Sequence, residues 1–213
     1  MTPRTKLLLV ALLLIVAIIL IYFPALNYDF IGLDDDELVV RNLDIKVFNL
    51  ERIWHLVKRH YITLYVPVTM LSYAIDYQIW RLTAFGFRFT NIVIHFLNAL
   101  LVFYLIRLIH KKTLIALLVS LIFAVHPVQI ESVVWIAERK NVLSTWFLLL
   151  SIISYWEATV QINREHKWLL ISLGLFILGL LSKPSVVVFP IIIFLINYFF
   201  CSGQHFFRRR GWF

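Results

Sequence analysis

The chain has 213 residues, of which 62% are hydrophobic and 15% are charged, and its formal net charge is +8. Several apolar stretches are long enough to cross about 30 Å of hydrocarbon as helices, which indicates an integral membrane protein. The basic residues are dispersed between these stretches, so the positive charge does not indicate nucleic-acid binding. Cys201 is the only cysteine, which excludes an internal disulfide and a zinc site of paired cysteines.

The first apolar run extends from Leu7 to about Ala25 and follows two basic residues, Arg4 and Lys6. A short basic stretch before an apolar core is also typical of secretory signal peptides. The residues after this run lack the small-residue pattern at which such peptides are cleaved. We therefore predict an uncleaved membrane anchor, with a signal peptide as the alternative.

A polar, aromatic-rich segment follows, from about residue 27 to residue 88. Its four consecutive acids, Asp34 to Glu37, must lie at or outside the membrane surface, because one carboxylate at the bilayer centre costs about 2.5 to 3.5 kcal/mol. Apolar residues repeat at helical spacing between Leu50 and Val57, with charged residues on the other side, which predicts a helix lying in the interface. A second such helix is predicted after Pro67.

The remaining apolar runs predict five more spans, at about 89–108, 114–125, 142–156, 168–181 and 186–200. With six spans, the basic groups in the short connections all fall on one side, which the positive-inside rule makes cytoplasmic. Both termini then lie in the cytoplasm, and the loops at about 27–88 and 127–141 are exoplasmic. The expected fold is an all-α integral membrane protein with about six transmembrane helices and a large first exoplasmic loop that carries interfacial helices.

Five short motifs, separated by these spans, resemble one family. They are Asp34-Asp35 with Asn42, Pro67 to Asp76, Gly86 to Asn98, Phe123 to Ser144, and Leu181 to Pro184 with Pro190. In this order they resemble the membrane half of the TMTC-like proteins, which combine transmembrane helices with tetratricopeptide repeats, and bacterial relatives within the GT-C glycosyltransferase superfamily. The chain contains no 34-residue helical repeat. We expect residues 1–213 to form a single GT-C-like transmembrane module, either a truncated or partial version of a longer architecture or a minimal module that needs a partner subunit.

The resemblance implies a hexosyltransferase with a lipid-phosphate-sugar donor. GT-C enzymes transfer a sugar from a polyprenyl-phosphate donor to an acceptor on the exoplasmic side, so the implied partners are membrane lipids, that donor, and a protein or glycan acceptor. The bacterial relatives imply the bacterial inner (cytoplasmic) membrane. Two alternatives stay open. One is a non-catalytic scaffold or truncated remnant of such an enzyme, and the less favoured one is a transporter, which would carry ionisable residues within its spans.

The acidic pair Asp34 and Asp35 matches the acids of the family, and both are the predicted catalytic residues. A carboxylate within reach of the acceptor hydroxyl can take its proton as a general base. The pair could instead position the acceptor or belong to a metal site, for which carboxylate oxygens favour magnesium or manganese. No ligand set beyond these two residues is determined.

Positive groups are expected near the leaving phosphate, because they stabilise the negative charge that develops on it. Arg139, Lys140 and Lys183 are predicted at the exoplasmic ends of spans, where they could bind this phosphate. Arg139 and Lys140 could equally anchor a helix end among lipid headgroups. His126 and Glu131 are predicted to complete the site from the second loop, with helix capping as the alternative for His126.

One histidine lies within an apolar run. His95 stands between Asn91 and Asn98 at helical spacing. Polar side chains in this setting favour hydrogen bonding between helices over chemistry.

Overall fold

The structure is a computed structural model that describes residues 3–62, 64–160 and 165–201. The described residues form α-helices joined by short 3₁₀ and π-helical turns, and they contain no β-strand, which confirms the all-α fold. The α-helices are α1 (Pro3–Tyr22), α2 (Leu50–Lys58), α3 (Pro67–Trp80), α4 (Ala84–His110), α5 (Thr113–Val125), α6 (Gln129–Val134), α7 (Arg139–Val160), α8 (Glu165–Ser182) and α9 (Phe189–Ile196).

Two helical stretches are long and apolar enough to cross a membrane, Thr5–Asn27 with 23 residues and Ala84–His110 with 27. Shorter apolar helices lie at Thr113–Val125, His166–Ser182 and Pro184–Phe199. Helices therefore lie at the positions of the predicted spans. Length and composition identify only the first two as candidate membrane spans among the described residues, so the number six stays a prediction.

The long helix α4 is the centre of a helical bundle in which α1, α5 and α7 pack against it. Buried apolar side chains from all four helices form this core, among them Leu14, Ile94 and Leu143. The chain turns sharply from α4 into α5 at Lys111, whose φ of 54° ends the helix in the left-handed conformation. A two-residue connection of this kind places α4 and α5 side by side.

Helices α7 and α8 pack together through a pair of serines. The Ser151 hydroxyl donates to the carbonyl of Ser172 at 2.8 Å, and the Ser172 hydroxyl donates to the carbonyl of Ser151 at the same distance. Small residues with hydroxyl groups let two apolar helices approach closely and hydrogen-bond at the contact. This pair fixes the register of α8 along α7.

The segment between α1 and α4 has a core of its own. Asn49 caps α2, since its Oδ1 accepts a hydrogen bond from the Arg52 amide at 2.8 Å, and Pro67 begins α3 with the fixed φ that a first helical turn needs. Helix α2 buries Leu56 and leaves Leu50 and Trp54 exposed. Helices are present at the two predicted positions, and their location in the membrane interface stays a prediction.

A buried carboxylate organises the stretch around α2. Asp44 is 3% exposed, and it forms ion pairs with Arg52 at 2.7 Å and with Arg59 at 3.1 Å. The Tyr61 hydroxyl donates to the same carboxylate at 3.4 Å. Burial acts to raise the pKa of Asp44, but the two guanidinium groups outweigh it, so the pKa lies below its ordinary value.

The turn from α3 into α4 brings Trp80 close to a glycine. A Cβ on Gly86 would lie 2.4 Å from the Cβ of Trp80, which no relaxed structure allows. Between them, Arg81 adopts φ 54° and ψ −148°, a conformation that favours glycine. Backbone strain at Arg81 and the missing side chain at Gly86 together permit this tight junction.

Candidate functional site

The four consecutive acids from Asp34 to Glu37 have different surroundings. Asp34 is half-buried, Asp35 is fully buried, and Glu37 is exposed. Asp36 makes a surface ion pair with Arg41 at 3.1 Å. Asp34 has no hydrogen-bond or ion-pair partner among the described residues. Only one member of the predicted catalytic pair is therefore both accessible and unengaged.

Asp35 connects the first loop to the segment between α6 and α7. Its Oδ1 accepts a hydrogen bond from the Ala137 amide at 2.8 Å, and its Oδ2 accepts one from the Ile31 amide at 3.0 Å. Burial raises the pKa of Asp35, and the two amides and the Arg88 guanidinium only partly oppose this effect. A buried carboxylate with a raised pKa is characteristic of functional sites, although structural networks perturb acids in the same way.

Arg88 holds the start of the first loop beside the same segment. Its guanidinium is fully buried and donates to the carbonyls of Tyr28 and Asp29, the second at 2.9 Å, while its Nε donates to the carbonyl of Val134 at 2.9 Å. One side chain on α4 therefore binds both the start of the loop that follows α1 and the end of α6. This contact places the acidic run next to the second loop.

The structure corrects the expectation for Arg139. Its guanidinium is fully buried and forms an ion pair with Asp76 at 2.5 Å. The same group donates to Asn91 Oδ1 at 2.8 Å and to the Phe87 carbonyl at 2.7 Å, and it lies 4.7 Å from the centre of the Tyr73 ring. A fully engaged guanidinium inside the protein reaches neither a phosphate nor a lipid headgroup. Arg139 stabilises the packing of α3, α4 and α7.

Lys140 and Lys183 lie on either side of one small polar cluster. Lys140 forms an ion pair with Glu138 at 2.7 Å and donates to the Ala137 carbonyl at 3.3 Å. Asn141 donates to Glu138 at 2.6 Å and accepts a hydrogen bond from Lys183. Since Ala137 also binds Asp35, the structure brings Asp35, Lys140 and Lys183 into one connected network.

The two predicted residues of the second loop stay outside this network. His126 is exposed, and its Nδ1 accepts a hydrogen bond from the Val128 amide at 3.2 Å near the start of α6. This bond lies in the turn before α6, which has no side-chain cap, so the capping role of His126 stays a prediction. Glu131 is exposed on α6 and makes no hydrogen bond or ion pair with Lys140 or Lys183.

The described residues do not form a metal site by themselves. They include no group of three His, Cys, Asp or Glu side chains placed to hold an ion. Both oxygens of Asp35 already accept amide hydrogen bonds, which leaves Asp34 as the accessible carboxylate of the pair. A magnesium or manganese ion, which needs several oxygen ligands, does not fit this arrangement without donors from a substrate.

A polar cavity of about 290 Å³ lies beside the cluster, between α4, α5, α6 and the start of α7. Asn141 lines this cavity and also binds Lys183, so the cavity adjoins the lysine. His95 and Asn98 of α4 also line it, and His95 Nε2 contacts the Ala124 carbonyl at 3.0 Å while Asn98 donates to the Val142 carbonyl at 2.8 Å. The predicted hydrogen bonds between helices are present.

Curated proteins similar to this chain are named protein O-mannosyl-transferases. TMTC4 of Homo sapiens is 31% identical over 179 residues, which cover 71% of this chain and 24% of that protein. F38B6.6 of Caenorhabditis elegans is 34% identical over 134 residues, or 61% of this chain and 18% of that protein. Tmtc1 of Drosophila melanogaster is 28% identical over 121 residues, or 57% and 14%. The chain is TMTC-like.

The TMTC-like chain spans a quarter or less of the length of these relatives. No family profile matches the chain, and no solved structure matches it. The relatives together with the apolar helices identify a membrane protein with transmembrane helices. These three relatives come from animals, so the bacterial inner membrane stays a prediction.

The sequence did not indicate the structural role of Asp76 or Arg88. Asp76 stood in a family motif without an assigned role, and the structure makes it the partner of Arg139. Arg88 lay at the predicted boundary between the first loop and a span. The sequence did contain one signal for Arg88. A charged residue at the edge of an apolar run needs a partner, which indicates a structural contact.

Proposed function

We propose that this TMTC-like chain is a membrane glycosyltransferase module that transfers a sugar from a polyprenyl-phosphate donor to a protein or glycan acceptor. The proposal has the support of relatives that are named protein O-mannosyl-transferases. The observation that carries it is the connection of the acidic run to two lysines. Asp34 precedes Asp35, which accepts a hydrogen bond from the Ala137 amide. Lys140 donates to the Ala137 carbonyl, and Lys183 donates to Asn141, the residue after Lys140.

The roles of the two acids differ in this proposal. Asp34 is the general base, since it is accessible and unengaged, and it takes the proton of the acceptor hydroxyl. The hydroxyl oxygen forms a bond to the anomeric carbon of the sugar as the bond from that carbon to the phosphate oxygen breaks. Asp35 is a positioning residue, because its two amide hydrogen bonds hold the backbone that presents Asp34.

The leaving group departs as a polyprenyl phosphate with the electron pair of the broken bond. Lys140 and Lys183 stabilise its charge, since ammonium groups near a developing phosphate lower the free energy of the transition state. Both lysines are partly accessible in the structure. His126 and Glu131 lie on the exposed rim formed by the second loop and α6, where an acceptor would approach.

The proposed orientation follows from the basic residues in the short connections. Six spans would place the loops at 27–88 and 127–141 on the exoplasmic face and both termini in the cytoplasm. The acidic run and the two lysines would then meet the sugar of the donor in water while its lipid tail remains in the bilayer. The whole enzyme could include a partner subunit, and the membrane proposed is the bacterial inner membrane.

The test is transfer of a labelled sugar by the purified chain in lipid vesicles, with polyprenyl-phosphate sugars as donors. Loss of a general base lowers rates by about 10² to 10⁴-fold, so we expect Asp34→Asn to lose transfer to that extent. Asp36→Asn is the matched control, because Asp36 is a neighbouring acid paired with Arg41 at the surface. Equal rates for the two variants would rule out Asp34 as the base. Donor binding without transfer by the unaltered chain would favour the scaffold alternative.

A further inference from the structure

A second pocket, with a volume of about 350 Å³, lies in the segment between α1 and α4, and we call it the arginine pocket. The charged residues that line it in the described part of the chain are Glu37, Arg41, Asp44, Arg52 and Arg59. Three arginines and two acids leave one net positive charge. Glu37, Arg41 and Arg59 are exposed, so the pocket opens to the surface.

A buried carboxylate fixes two of the arginines in place. Asp44 Oδ1 accepts a hydrogen bond from Arg52 Nη1 at 2.7 Å, and Asp44 Oδ2 accepts one from Arg59 Nη1 at 3.1 Å. The Asp44 side chain is 4% exposed, whereas those of Arg52 and Arg59 are 37% and 66% exposed. The carboxylate therefore anchors both guanidinium groups from inside, while both arginine side chains stay accessible to a ligand.

Most of the hydrogen-bonding capacity of these two guanidinium groups is unused. Nε and Nη2 of both Arg52 and Arg59 have no hydrogen-bond partner among the described residues. Arg41, by contrast, is paired with Asp36 at the surface. The edge of a guanidinium group binds a planar anion through two parallel hydrogen bonds. Because Asp44 already holds the two arginines, an incoming anion would order few side chains, which favours binding.

The net charge of the pocket favours a carboxylate over a phosphate. A phosphate monoester carries about −1.5 to −2 charges at pH 7, but the pocket has only one net positive charge. Glu37 at the surface of the pocket adds a repulsion that acts more strongly on a doubly charged group. A carboxylate has a single charge and the planar shape that matches the edge of a guanidinium group. The pocket is therefore suited to the side chain of an aspartate or a glutamate.

The pocket and the exposed apolar side chains of α2 lie on opposite sides of that helix. Leu50 and Trp54 are 86% and 58% exposed, and they lie two positions before and two positions after Arg52. At about 100° per residue, Arg52 is roughly 160° around the helix from each of them. A membrane surface in contact with Leu50 and Trp54 would therefore be on the far side of α2 from the pocket. A ligand from water reaches the arginines more directly than a lipid headgroup does.

The pocket adjoins the proposed catalytic base. Asp34 and Glu37 lie three residues apart in one continuous helical stretch, 34–40. Side chains at this spacing are neighbours, with about 5–6 Å between their Cβ atoms, and Glu37 lines the pocket. We propose that the arginine pocket binds an acidic side chain of the protein acceptor, close to the hydroxyl that receives the sugar. This proposal rests on the proposed function, because it names the class of acceptor for that activity.

The test measures the binding of two fluorescent peptides to the full chain in nanodiscs of zwitterionic lipid. One peptide has a threonine flanked by glutamates, and the other has glutamines in place of the glutamates. We expect the unaltered chain to bind the acidic peptide about tenfold more tightly, as a charge-assisted hydrogen bond provides. Arg59→Gln should remove this preference. Arg59→Lys keeps the charge but not the planar edge, so it should retain part of the preference.

Lys58→Gln is the matched control, because it removes the same charge from the adjacent residue. Lys58 lies over the Trp54 ring at 4.4 Å and does not line the pocket, so this variant should leave the preference unchanged. Glu37→Gln removes the negative charge at the surface of the pocket and should strengthen binding of the acidic peptide severalfold. A folding defect would not produce such a gain.

The proposal would be overturned if the unaltered chain lacked the preference, if Arg59→Gln kept it, if Lys58→Gln lowered it equally, or if Glu37→Gln left binding unchanged. Two competitors test other ligands. Displacement of the acidic peptide by short-chain phosphatidylglycerol but not by phosphatidylcholine would assign the pocket to a lipid headgroup and overturn the proposal. Tighter binding of inorganic phosphate than of the peptide would overturn it as well.

Sugar transfer to both peptides is measured separately. A preference for the acidic peptide without transfer to either would keep the pocket as a binding site and refute the proposed activity. Equal transfer to both peptides, with equal affinity, would keep the activity and refute the site.

Discussion

Replacing Arg139 by methionine would remove the buried guanidinium that joins α3, α4 and α7. Methionine fills a similar volume but leaves the carboxylate of Asp76 buried without its ion pair, and it leaves Asn91 and the Phe87 carbonyl without a donor. Breaking a buried ion pair from one side costs about 3–5 kcal/mol. For a chain of this size, this corresponds to a melting temperature lower by about 6–20 °C.

The measurement is thermal unfolding in detergent, followed by circular dichroism. Arg107→Met is the matched control, because Arg107 is an exposed arginine near the end of α4. The double variant Asp76→Leu with Arg139→Met should recover most of the loss, since apolar replacement of both partners leaves no buried charge.

Two results would refute this reasoning. One is an Arg139→Met variant as stable as Arg107→Met, and the other is a double variant no more stable than Arg139→Met alone. A loss of donor binding with unchanged stability would return Arg139 to the phosphate role that the sequence suggested.

Three further predictions concern Asp44 and the turn from α3 into α4. The folded-state pKa of Asp44 is lowered, so its contribution to stability is present above the unfolded pKa of about 3.9 and is lost as pH falls through the folded pKa. Asp44→Asn should therefore flatten the acid limb of a plot of unfolding free energy against pH, and an unchanged limb would contradict this. Arg81→Gly should stabilise the chain by about 1 kcal/mol by relieving the strained backbone, while Arg81→Ala should not, as measured by urea unfolding. Gly86→Ala should destabilise it by about 1–3 kcal/mol because its methyl group meets Trp80, and a melting temperature equal to that of the unaltered chain would show that the turn can relax.

The positions of the helices could be predicted from the sequence because apolar runs and helix-starting residues are local signals. The stretches around Leu50 and Pro67 have the spacing and the proline that define α2 and α3. The end of α4 at Lys111 was also close to its predicted place. The number of membrane crossings is a different question, since burial against neighbours and tilt both change the length that a span requires.

Whether an individual charged side chain is buried or accessible could not be predicted from such local signals. Arg139 and Lys140 are adjacent and were expected to behave alike, but Arg139 turns into the core and Lys140 stays partly accessible. The difference depends on Asp76, which lies 63 residues earlier in the chain. Asp34 and Asp35 diverge for the same reason, because only Asp35 meets a distant amide.

The hydrogen bond between Asp35 and Ala137 joins residues 102 positions apart. Ribosomes add about 5–20 residues per second, so the acidic loop emerges roughly 5 to 20 seconds before its partner segment exists. During that interval Asp35 has water in place of the Ala137 amide, and Arg88 is made before the Val134 carbonyl that it binds. The loop that carries the proposed catalytic base is therefore synthesised well before the segment that completes its hydrogen bonds.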